Sequence, residues 1–257
     1  MIRVENLIKK FGDTEVIRGI SADFFPGKVN LIIGKSGSGK TVFMKSLLGL
    51  YDIDGGEIYY SGEPLSEMDF KRRKTLRTEM GMVFQGSALF DSLTVEENVI
   101  FPLKMFSNMI EADMRDRVNF CLGRVNLEGA NKKYPAELSG GMKKRVAIAR
   151  AIAMNPKYLF CDEPNSGLDP QTSIVIDNLI REITLEFGIT TVINTHDMNS
   201  VMEIGDNVIL IKDGYKAWQG NKADILTTDN ENVNEFVFTS QLLRRVKELH
   251  LQSSRRE

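Results

Sequence analysis

Short apolar runs recur along the chain, and they have the length of β-strands. Strands are predicted over residues 29–33, 158–161 and 190–194. A helix is predicted after the first run, where apolar residues fall at helical spacing between Phe43 and Leu48, and another over about 171–187. Alternating strands and helices predict an α/β fold with a parallel sheet.

The start of the chain alternates polar and apolar residues, which predicts antiparallel strands around the first α/β unit. A further strand is predicted over 57–62, after a turn at 54–56, where an aspartate precedes two glycines. Residues 1–33 are predicted to form short strands with breaks at three glycine-containing positions: 12–13, Gly19 and 26–27.

Two longer segments differ from this strand pattern. From about 86 to 154 the spacing of apolar residues is mostly helical, which predicts an inserted helical subdomain. The segment 64–80 is rich in charge, and a run of this kind following several acidic residues predicts the solvated face of a helix. Its basic residues are Lys71, Arg72, Arg73, Lys74 and Arg77.

Composition and charge limit the class of protein. The 257 residues are 42% hydrophobic and 26% charged, which is typical of an ordinary globular protein. At about 150 residues per domain, one core with an inserted subdomain fits this length as well as two domains do. The 33 basic and 35 acidic residues give a net charge of −2, so no large surface for nonspecific binding of polyanions is expected and no nucleic-acid partner is predicted.

The chain has no stretch of about 18 to 20 consecutive apolar residues, so no membrane span is predicted. Its start lacks the basic residues and apolar stretch of a secretory signal, and we expect a cytoplasmic protein. Cys121 and Cys161 are 40 residues apart, which indicates neither a disulfide framework nor a zinc site. Both are predicted to be small buried hydrophobes.

A glycine-rich loop follows the first apolar run and precedes the first predicted helix. It matches the pattern GxxxxGK[ST], in which the backbone N–H groups and the positive end of the helix dipole bind phosphates. Lys40 is expected to reach the β- and γ-phosphates, and the Thr41 hydroxyl to bind Mg²⁺. The expected nucleotide-binding residues are Gly34, Lys35, Ser36, Gly37, Ser38, Gly39, Lys40 and Thr41.

Two carboxylates end the second apolar run, at Asp162 and Glu163. Because successive side chains of a strand point in opposite directions, the two cannot serve one purpose. In a phosphoryl-transfer site the first would orient Mg²⁺ and the second would act as general base towards the attacking water.

A second candidate anion site lies at Ser139-Gly140-Gly141. Ser139 is predicted to cap a helix that ends before Pro156, and two glycines after it would leave backbone N–H groups accessible. One face of that helix is predicted to carry Met142, Val146, Ala149 and Ile152.

Taken in order, these motifs resemble the ATP-binding-cassette (ABC) ATPase family. The resemblance covers residues 1 to about 220 and includes Gln85 after a strand, 138–141, 166–169 and 195–197. It implies a P-loop NTPase core of the RecA-like type, with an antiparallel β subdomain and an inserted helical subdomain at about 86–154. Residues 1–220 would form the ATP-binding domain, and 221–257 a C-terminal helical extension.

The resemblance also implies how ATP is bound and cleaved. Two subunits of such ATPases pair head to tail, and each ATP lies between the phosphate loop of one and the 138–141 segment of the other. Gln85 would contact Mg²⁺ and the attacking water and would sense the transmembrane partner. His196 would contact the γ-phosphate. Asp169 would lie across the dimer seam, and Phe11 would stack on adenine.

Two departures from the common pattern narrow the resemblance. Met142, followed by Lys143-Lys144-Arg145, and the segment 86–99 look like the ATPase of the maintenance-of-lipid-asymmetry (Mla) type of transporter. This resemblance implies a membrane permease, an MCE-domain lipid-binding protein and a location at the cytoplasmic face of the inner membrane. The alternatives are the ATPase of another ABC importer or exporter, or a soluble scaffold of the cluster-assembly type.

The C-terminal segment 231–251 carries apolar residues at roughly helical spacing. The first interpretation is a helix packed on its own subunit. The alternative, suggested by the resemblance, is that it reaches the partner subunit. The apolar positions are Val233, Phe236, Val237, Leu243, Val246 and Leu249.

Overall fold

The computed structural model describes residues 1–239, 243–245, 247 and 248. The strands are β1 (Ile2–Phe11), β2 (Thr14–Phe24), β3 (Lys28–Ile33), β4 (Gly55–Tyr60), β5 (Glu63–Pro64), β6 (Met80–Val83), β7 (Tyr158–Asp162), β8 (Thr190–Asn194), β9 (Asn207–Lys212) and β10 (Tyr215–Gly220). The helices are α1 (Lys40–Leu47), α2 (Phe70–Thr78), α3 (Val95–Phe106), α4 (Glu111–Arg124), α5 (Gly140–Ile152), α6 (Pro170–Phe187), α7 (Met198–Ile204), α8 (Lys222–Thr227) and α9 (Glu231–Val237).

The chain divides into two compact units. The first holds Met1–Phe25, Val29–Glu67 and the described residues from Asn194 onward. The second holds Pro26–Lys28 and Met68–Ile193. Both units combine strands with helices, so the mixed α/β content predicted from the periodicity is confirmed.

An antiparallel sheet with the strand order β2-β1-β4-β5 lies in the first unit. β1 and β2 form a long hairpin, in which Ile2 lies opposite Phe24 and Phe11 lies opposite Thr14. The predicted break at Gly19 is wrong, because β2 continues through this residue, which has a positive φ of 74°. β1 pairs with Arg18 and with Ile20 across a register shift, so Gly19 forms a bulge inside the strand rather than a break.

The predicted turn at 54–56 is also wrong in part, because β4 already begins at Gly55. Gly56 has a φ of 82°, and a Cβ there would lie 2.3 Å from the carbonyl oxygen of Glu5 on β1. The glycine is therefore required for the close approach of paired strands.

The other strands of the first unit follow the order β10-β9-β3. β3 and β9 are parallel, with Ile32 opposite Ile209, and β10 is antiparallel to β9. Side chains of β3 and β9 are buried, including Leu31, Ile33 and Val208. This packing holds the C-terminal end of β3, from which the phosphate loop leads into α1.

In the second unit the strand order is β8-β7-β6, and β6 and β7 are parallel with Met82 opposite Phe160. The strand predicted at 190–194 has the bounds of β8, and the predictions for 158–161 and 171–187 agree with β7 and α6 within one residue. These predictions are confirmed because strands alternate with a helix along this part of the chain, as the sequence pattern indicated.

The predicted helical segment of this unit contains α3, α4 and α5, and α5 buries most of its length around Val146 and Ala149. The basic segment forms α2, which begins at its N-cap Asp69 and buries only Leu76. Lys71, Lys74 and Arg77 are exposed, whereas Arg72 and Arg73 are half-buried, so the predicted solvated face is confirmed for three of its five basic residues.

The C-terminal segment begins with α8 and α9 in the first unit, where α9 buries Val233 and Val237. Of the predicted apolar positions beyond it, Val246 and Leu249 lie outside the described residues. No helix in the described part of the chain is long and apolar enough to cross a membrane.

Both cysteines are buried and free, as predicted. Burial raises the pKa of the Cys121 thiol to about 11, and it raises that of Cys161 as well.

Candidate nucleotide site

The phosphate loop curls around the ammonium group of its own lysine. Lys40 is buried, and its Nζ donates hydrogen bonds to the carbonyl oxygens of Gly34, at 2.8 Å, and Lys35, at 3.0 Å. Gly34 has a φ of 151°, and a Cβ there would lie 2.3 Å from the carbonyl oxygen of Ile211. Gly37 and Gly39 also have positive φ values. The glycines of the motif are therefore required by the backbone path.

The loop and the start of α1 have the features of an anion site. The N-cap of α1 is Gly39, which supplies no side-chain hydrogen bond to the first turn. The Ser38 hydroxyl oxygen is buried and has no hydrogen-bond partner among the described residues. Backbone N–H groups at a helix N-terminus and a buried hydroxyl without a partner fit the oxygens of a phosphate.

Two further predicted residues, Thr41 on α1 and His196 after β8, belong to the first unit. The side-chain amide of Asn194 donates to the hydroxyl oxygen of Thr41, at 3.2 Å. Two positions later, His196 is exposed before the N-cap of α7 at Asp197. Thr195 is held to β3 by a hydrogen bond from its N–H to the Ile32 carbonyl, at 3.1 Å. Thr41 and the His196 segment therefore share the carboxyl end of β3.

Phe11 lies on the surface at the end of β1, with 46% of its side chain exposed. Its ring packs edge-on against Tyr51, with 5.3 Å between centroids, and the Lys9 ammonium lies 5.3 Å from the ring centre. An exposed ring supported from one side is available for stacking, so Phe11 is not a core residue.

The outer side of the phosphate loop is tied to α9 by a carboxylate that the sequence did not single out. Glu235 accepts from Lys35, at 3.1 Å, and from Lys212, at 2.9 Å. These two ammonium groups, Lys212 foremost, hold the pKa of the Glu235 carboxyl below its usual range. A cavity of about 320 Å³ lies between the loop, the end of β9 and α9.

In the second unit, the structure brings together Gln85 and Glu163, which are 78 residues apart. The Gln85 side-chain amide donates to the Glu163 carboxylate, at 3.1 Å, and to the Ser166 hydroxyl, at 3.2 Å. Asp162 is the last residue of β7. Glu163 has a φ of 46°, in the left-handed region that a residue with a side chain rarely adopts. Such backbone strain is concentrated at functional positions.

Ser139 caps α5 as predicted, since its hydroxyl oxygen accepts from the N–H of Met142, at 3.3 Å. A Cβ at Gly141 would lie 2.7 Å from the Cγ2 atom of Thr172 on α6, so this position requires a glycine. Asp169 caps α6 by accepting from the Thr172 hydroxyl and N–H, and these hydrogen bonds lower the pKa of Asp169. Gly140 and Gly141 therefore begin α5 close to the capped start of α6.

Three residues of this unit hold the segment after Gln85 through contacts that the sequence did not predict. Lys144 donates to the backbone carbonyl of Gln85, and Arg150 donates to the carbonyls of Ser87 and Ala88. Asn98 is fully buried, and its amide oxygen accepts a hydrogen bond from the N–H of Phe90 in the loop before α3. Lys144 and Arg150 are basic residues of a predicted helix, and the sequence gives no signal of the distant carbonyls that they bind.

The first unit holds a phosphate loop with a buried lysine, and in the second unit Glu163 follows a strand that ends at Asp162. Both are features of P-loop ATPases. The chain belongs to the ABC transporter family, whose model matches residues 17–166. It binds ATP as the ATP-binding subunit of an ABC transporter, and it is an ATPase.

Relatives of known description support this membership. The chain is 36% identical to a probable ribonucleotide transport ATP-binding protein, Mkl, of Mycobacterium leprae, over 92% of this chain and 68% of that protein. It is 37% identical to the methionine import ATP-binding protein MetN of Campylobacter jejuni, over 95% of this chain and 77% of that one. The chain thus spans about two thirds of the length of its mycobacterial relatives.

Solved structures agree with the fold. A dimeric post-hydrolysis state of the ATP-binding cassette MJ0796, bound to ADP and phosphate, is similar with a TM-score of 0.77 and 32% identity, over 86% of this chain and 99% of that one. CbiO1 of Clostridium perfringens, part of the cbiONQ ABC transporter complex, has a TM-score of 0.83 and 33% identity, over 97% and 98%. The predicted P-loop core with antiparallel β and helical subdomains is confirmed by these likenesses.

Proposed function

We propose that the chain hydrolyses ATP as one half of a head-to-tail homodimer and thereby drives lipid transport by a separate membrane permease. The observation that carries the catalytic part is the hydrogen bond between Gln85 and Glu163. It joins the residue expected to sense the permease to the residue expected to activate water. The dimeric cassettes among the similar structures support the pairing of two copies.

In this proposal, Lys40 and the N–H groups at the start of α1 bind the β- and γ-phosphates of ATP. Glu163 accepts a proton from a water whose oxygen attacks the γ-phosphorus, while the bond from that phosphorus to the bridging oxygen breaks and ADP leaves. His196 contacts the γ-phosphate and Phe11 stacks on the adenine. Thr41, Gln85 and Asp162 would hold Mg²⁺, which neutralises charge on the phosphates when bound.

The second candidate anion site, at Ser139-Gly140-Gly141, gives a reason for two copies to pair. The 138–141 segment of one copy would bind the γ-phosphate held by the other copy, with Asp169 near the seam. ATP then closes the dimer because both copies contact it, and loss of the γ-phosphate reopens it. This difference in contacts between the ATP and ADP states is what a switch requires.

Exposed apolar side chains after Gln85 support a permease partner. Phe90 and Phe101 pack together with 4.9 Å between ring centroids, yet both remain about 40% exposed. Met105 and Phe106 at the end of α3 are more than half exposed. An apolar surface of this kind is typical of a protein interface. We propose that it receives a permease helix, which would place the chain at the cytoplasmic face of the inner membrane.

The lipid substrate and the MCE-domain partner rest on the resemblance at Met142 and at 86–99. A second candidate is transport of a small solute, and the names of the relatives favour it, since they read probable ribonucleotide transport and methionine import. Purification of the complex from membranes in detergent, with mass spectrometry of the chains and lipids that accompany it, separates the two. An MCE-domain chain with bound phospholipid supports the first, and a solute-binding protein supports the second.

The catalytic proposal is tested with Glu163→Gln. This variant should bind ATP with normal affinity and dimerise, while turnover falls by about 10²- to 10⁴-fold, the usual contribution of a general base. Glu182→Gln, at an exposed position of α6, is the matched control and should keep full activity. Near-normal hydrolysis by Glu163→Gln would remove Glu163 as the base.

A further inference from the structure

The backbone of residues 85–88 is held by two cations of one helix. The Lys144 ammonium donates to the carbonyl oxygen of Gln85. The Arg150 guanidinium donates through Nη2 to the Ser87 carbonyl, at 2.9 Å, and through Nη1 to the Ala88 carbonyl, at 2.7 Å. Both cations lie on α5, so three carbonyls of the loop are anchored to that helix.

The loop so anchored is strained. Ser87 has a φ of 63° and Ala88 a φ of 47°, so two consecutive residues with side chains lie in the left-handed region. This conformation is unfavourable for residues other than glycine and persists only where surrounding contacts impose it. The two-pronged contact with Arg150 is directed at these two residues and supplies such a constraint.

Lys144 is an unusual residue at its position, because only 4% of it is exposed. Burial lowers the pKa of its ammonium, and the nearby carboxylate of Glu163 opposes that effect. A buried cation is costly unless its charge is compensated. The Gln85 carbonyl provides compensation here, so the contact is strongly favoured over an open arrangement.

We propose that Lys144 and Arg150 are positioning residues that clamp residues 85–88 to α5. The clamp makes the loop and the helix move as one body and aligns the Gln85 amide with Glu163. Because α5 begins at the 139–141 segment, movement of the permease against the loop would reach both the catalytic glutamate and the dimer contact. This inference rests on the proposed function. Lys144 and Arg150 are the residues that would couple permease movement to ATP hydrolysis.

Arg150→Lys tests the clamp, because lysine keeps the charge but cannot hold two carbonyls in a fork. Loss of the constraint on two left-handed residues should lower kcat for ATP hydrolysis by about 5- to 30-fold. The affinity for ATP, measured by titration calorimetry on the full chain, should change by less than about two-fold, because Lys40 and the phosphate loop are not touched. Lys144→Met should give a loss in the same direction.

Lys143→Met is the matched control, since it removes a charge from the same helix at a neighbouring position for which no side-chain hydrogen bond is seen in the described structure. Ala88→Gly is the rescue, because glycine adopts a positive φ without strain and Ala88 is exposed. In the Arg150→Lys background it should restore about half of the lost activity on a logarithmic scale. A merely structural role of Arg150 would not respond to this change.

Full activity of Arg150→Lys, or an equal loss in Lys143→Met, would overturn the clamp. A loss of activity in Arg150→Lys that Ala88→Gly does not restore would also overturn it. This holds whether or not the melting temperature of Arg150→Lys is lowered. The proposed function is tested separately, by Glu163→Gln in a chain that keeps Lys144 and Arg150. Failure of the clamp and failure of the proposed function are therefore distinguishable.

Discussion

Asn98 offers a quantitative test of how the loop before α3 is built. The residue is fully buried near the start of α3. Its amide oxygen accepts from the N–H of Phe90, at 2.8 Å, and its amide nitrogen donates to the carbonyls of Phe90, Leu93 and Thr94, at 3.1, 3.1 and 3.0 Å. One side chain therefore supplies hydrogen-bond partners to backbone groups of residues 90–94, a segment without regular secondary structure.

The change Asn98→Ala removes these four hydrogen bonds, of which at least two share one of the two amide protons, and leaves polar groups of Phe90 and Leu93 without their partner. At about 1 kcal/mol net for each bond, and with some entry of water, we expect a loss of about 2–4 kcal/mol in the free energy of unfolding. A loss of that size lowers the melting temperature of a chain of this length by about 4–16 °C.

The assay is urea denaturation followed by circular dichroism, with a thermal scan beside it. Asn178→Ala on α6 is the control, because Asn178 is exposed and the change should stay within about 0.5 kcal/mol of the parent. ATP affinity of Asn98→Ala should be normal at a temperature where it is folded, since the phosphate loop belongs to the other unit. A loss below about 1 kcal/mol would refute the assignment of four net-favourable hydrogen bonds to this side chain.

Other predictions concern packing, the adenine site and the thiols. Gly141→Ala should destabilise the protein by about 1–3 kcal/mol in denaturation, because its Cβ would lie 2.7 Å from the Cγ2 atom of Thr172; adding Thr172→Ser removes that methyl and should recover most of the loss. Phe11→Leu should weaken ATP binding by about 2- to 10-fold in calorimetry if the ring stacks on adenine, and unchanged affinity would remove Phe11 from the site. Cys121 and Cys161 should not react with a disulfide reagent at pH 8 until the protein is unfolded, because burial raises both thiol pKa values and blocks access; rapid labelling of the folded chain would contradict this.

Features that depend on residues close together in the sequence were predicted correctly, and features that depend on distant residues were not. Ser139 was predictable as an N-cap because the hydrogen bond it makes reaches only to Met142. The breaks predicted at Gly19 and at 54–56 were wrong because strand pairing with β1, a distant part of the chain, decides the backbone there. Glycine in a strand looks the same in sequence whether it turns the chain or allows a close approach.

The candidate site shows the same division. Lys40 and Glu163 were identified from motifs, whereas the strain at Glu163 and its hydrogen bond from Gln85 appear only in the folded chain. Lys144 and Arg150 are separated by about 60 residues from the carbonyls that they bind. In the sequence they are two basic residues on a helix, with nothing to distinguish them from solvated neighbours.

The sequence by itself determined the class of protein, the main strands and helices, and the residues of the phosphate loop. It could do so because a phosphate loop is a continuous segment whose backbone conformation demands glycines at set positions. The tertiary structure alone decided which residues hold the loop at 85–88, which carboxylate meets Lys35 and Lys212, and where glycine permits two strands to touch. Those features depend on groups far apart in the chain, and burial changes the energy of a charge only once folding has removed the water around it.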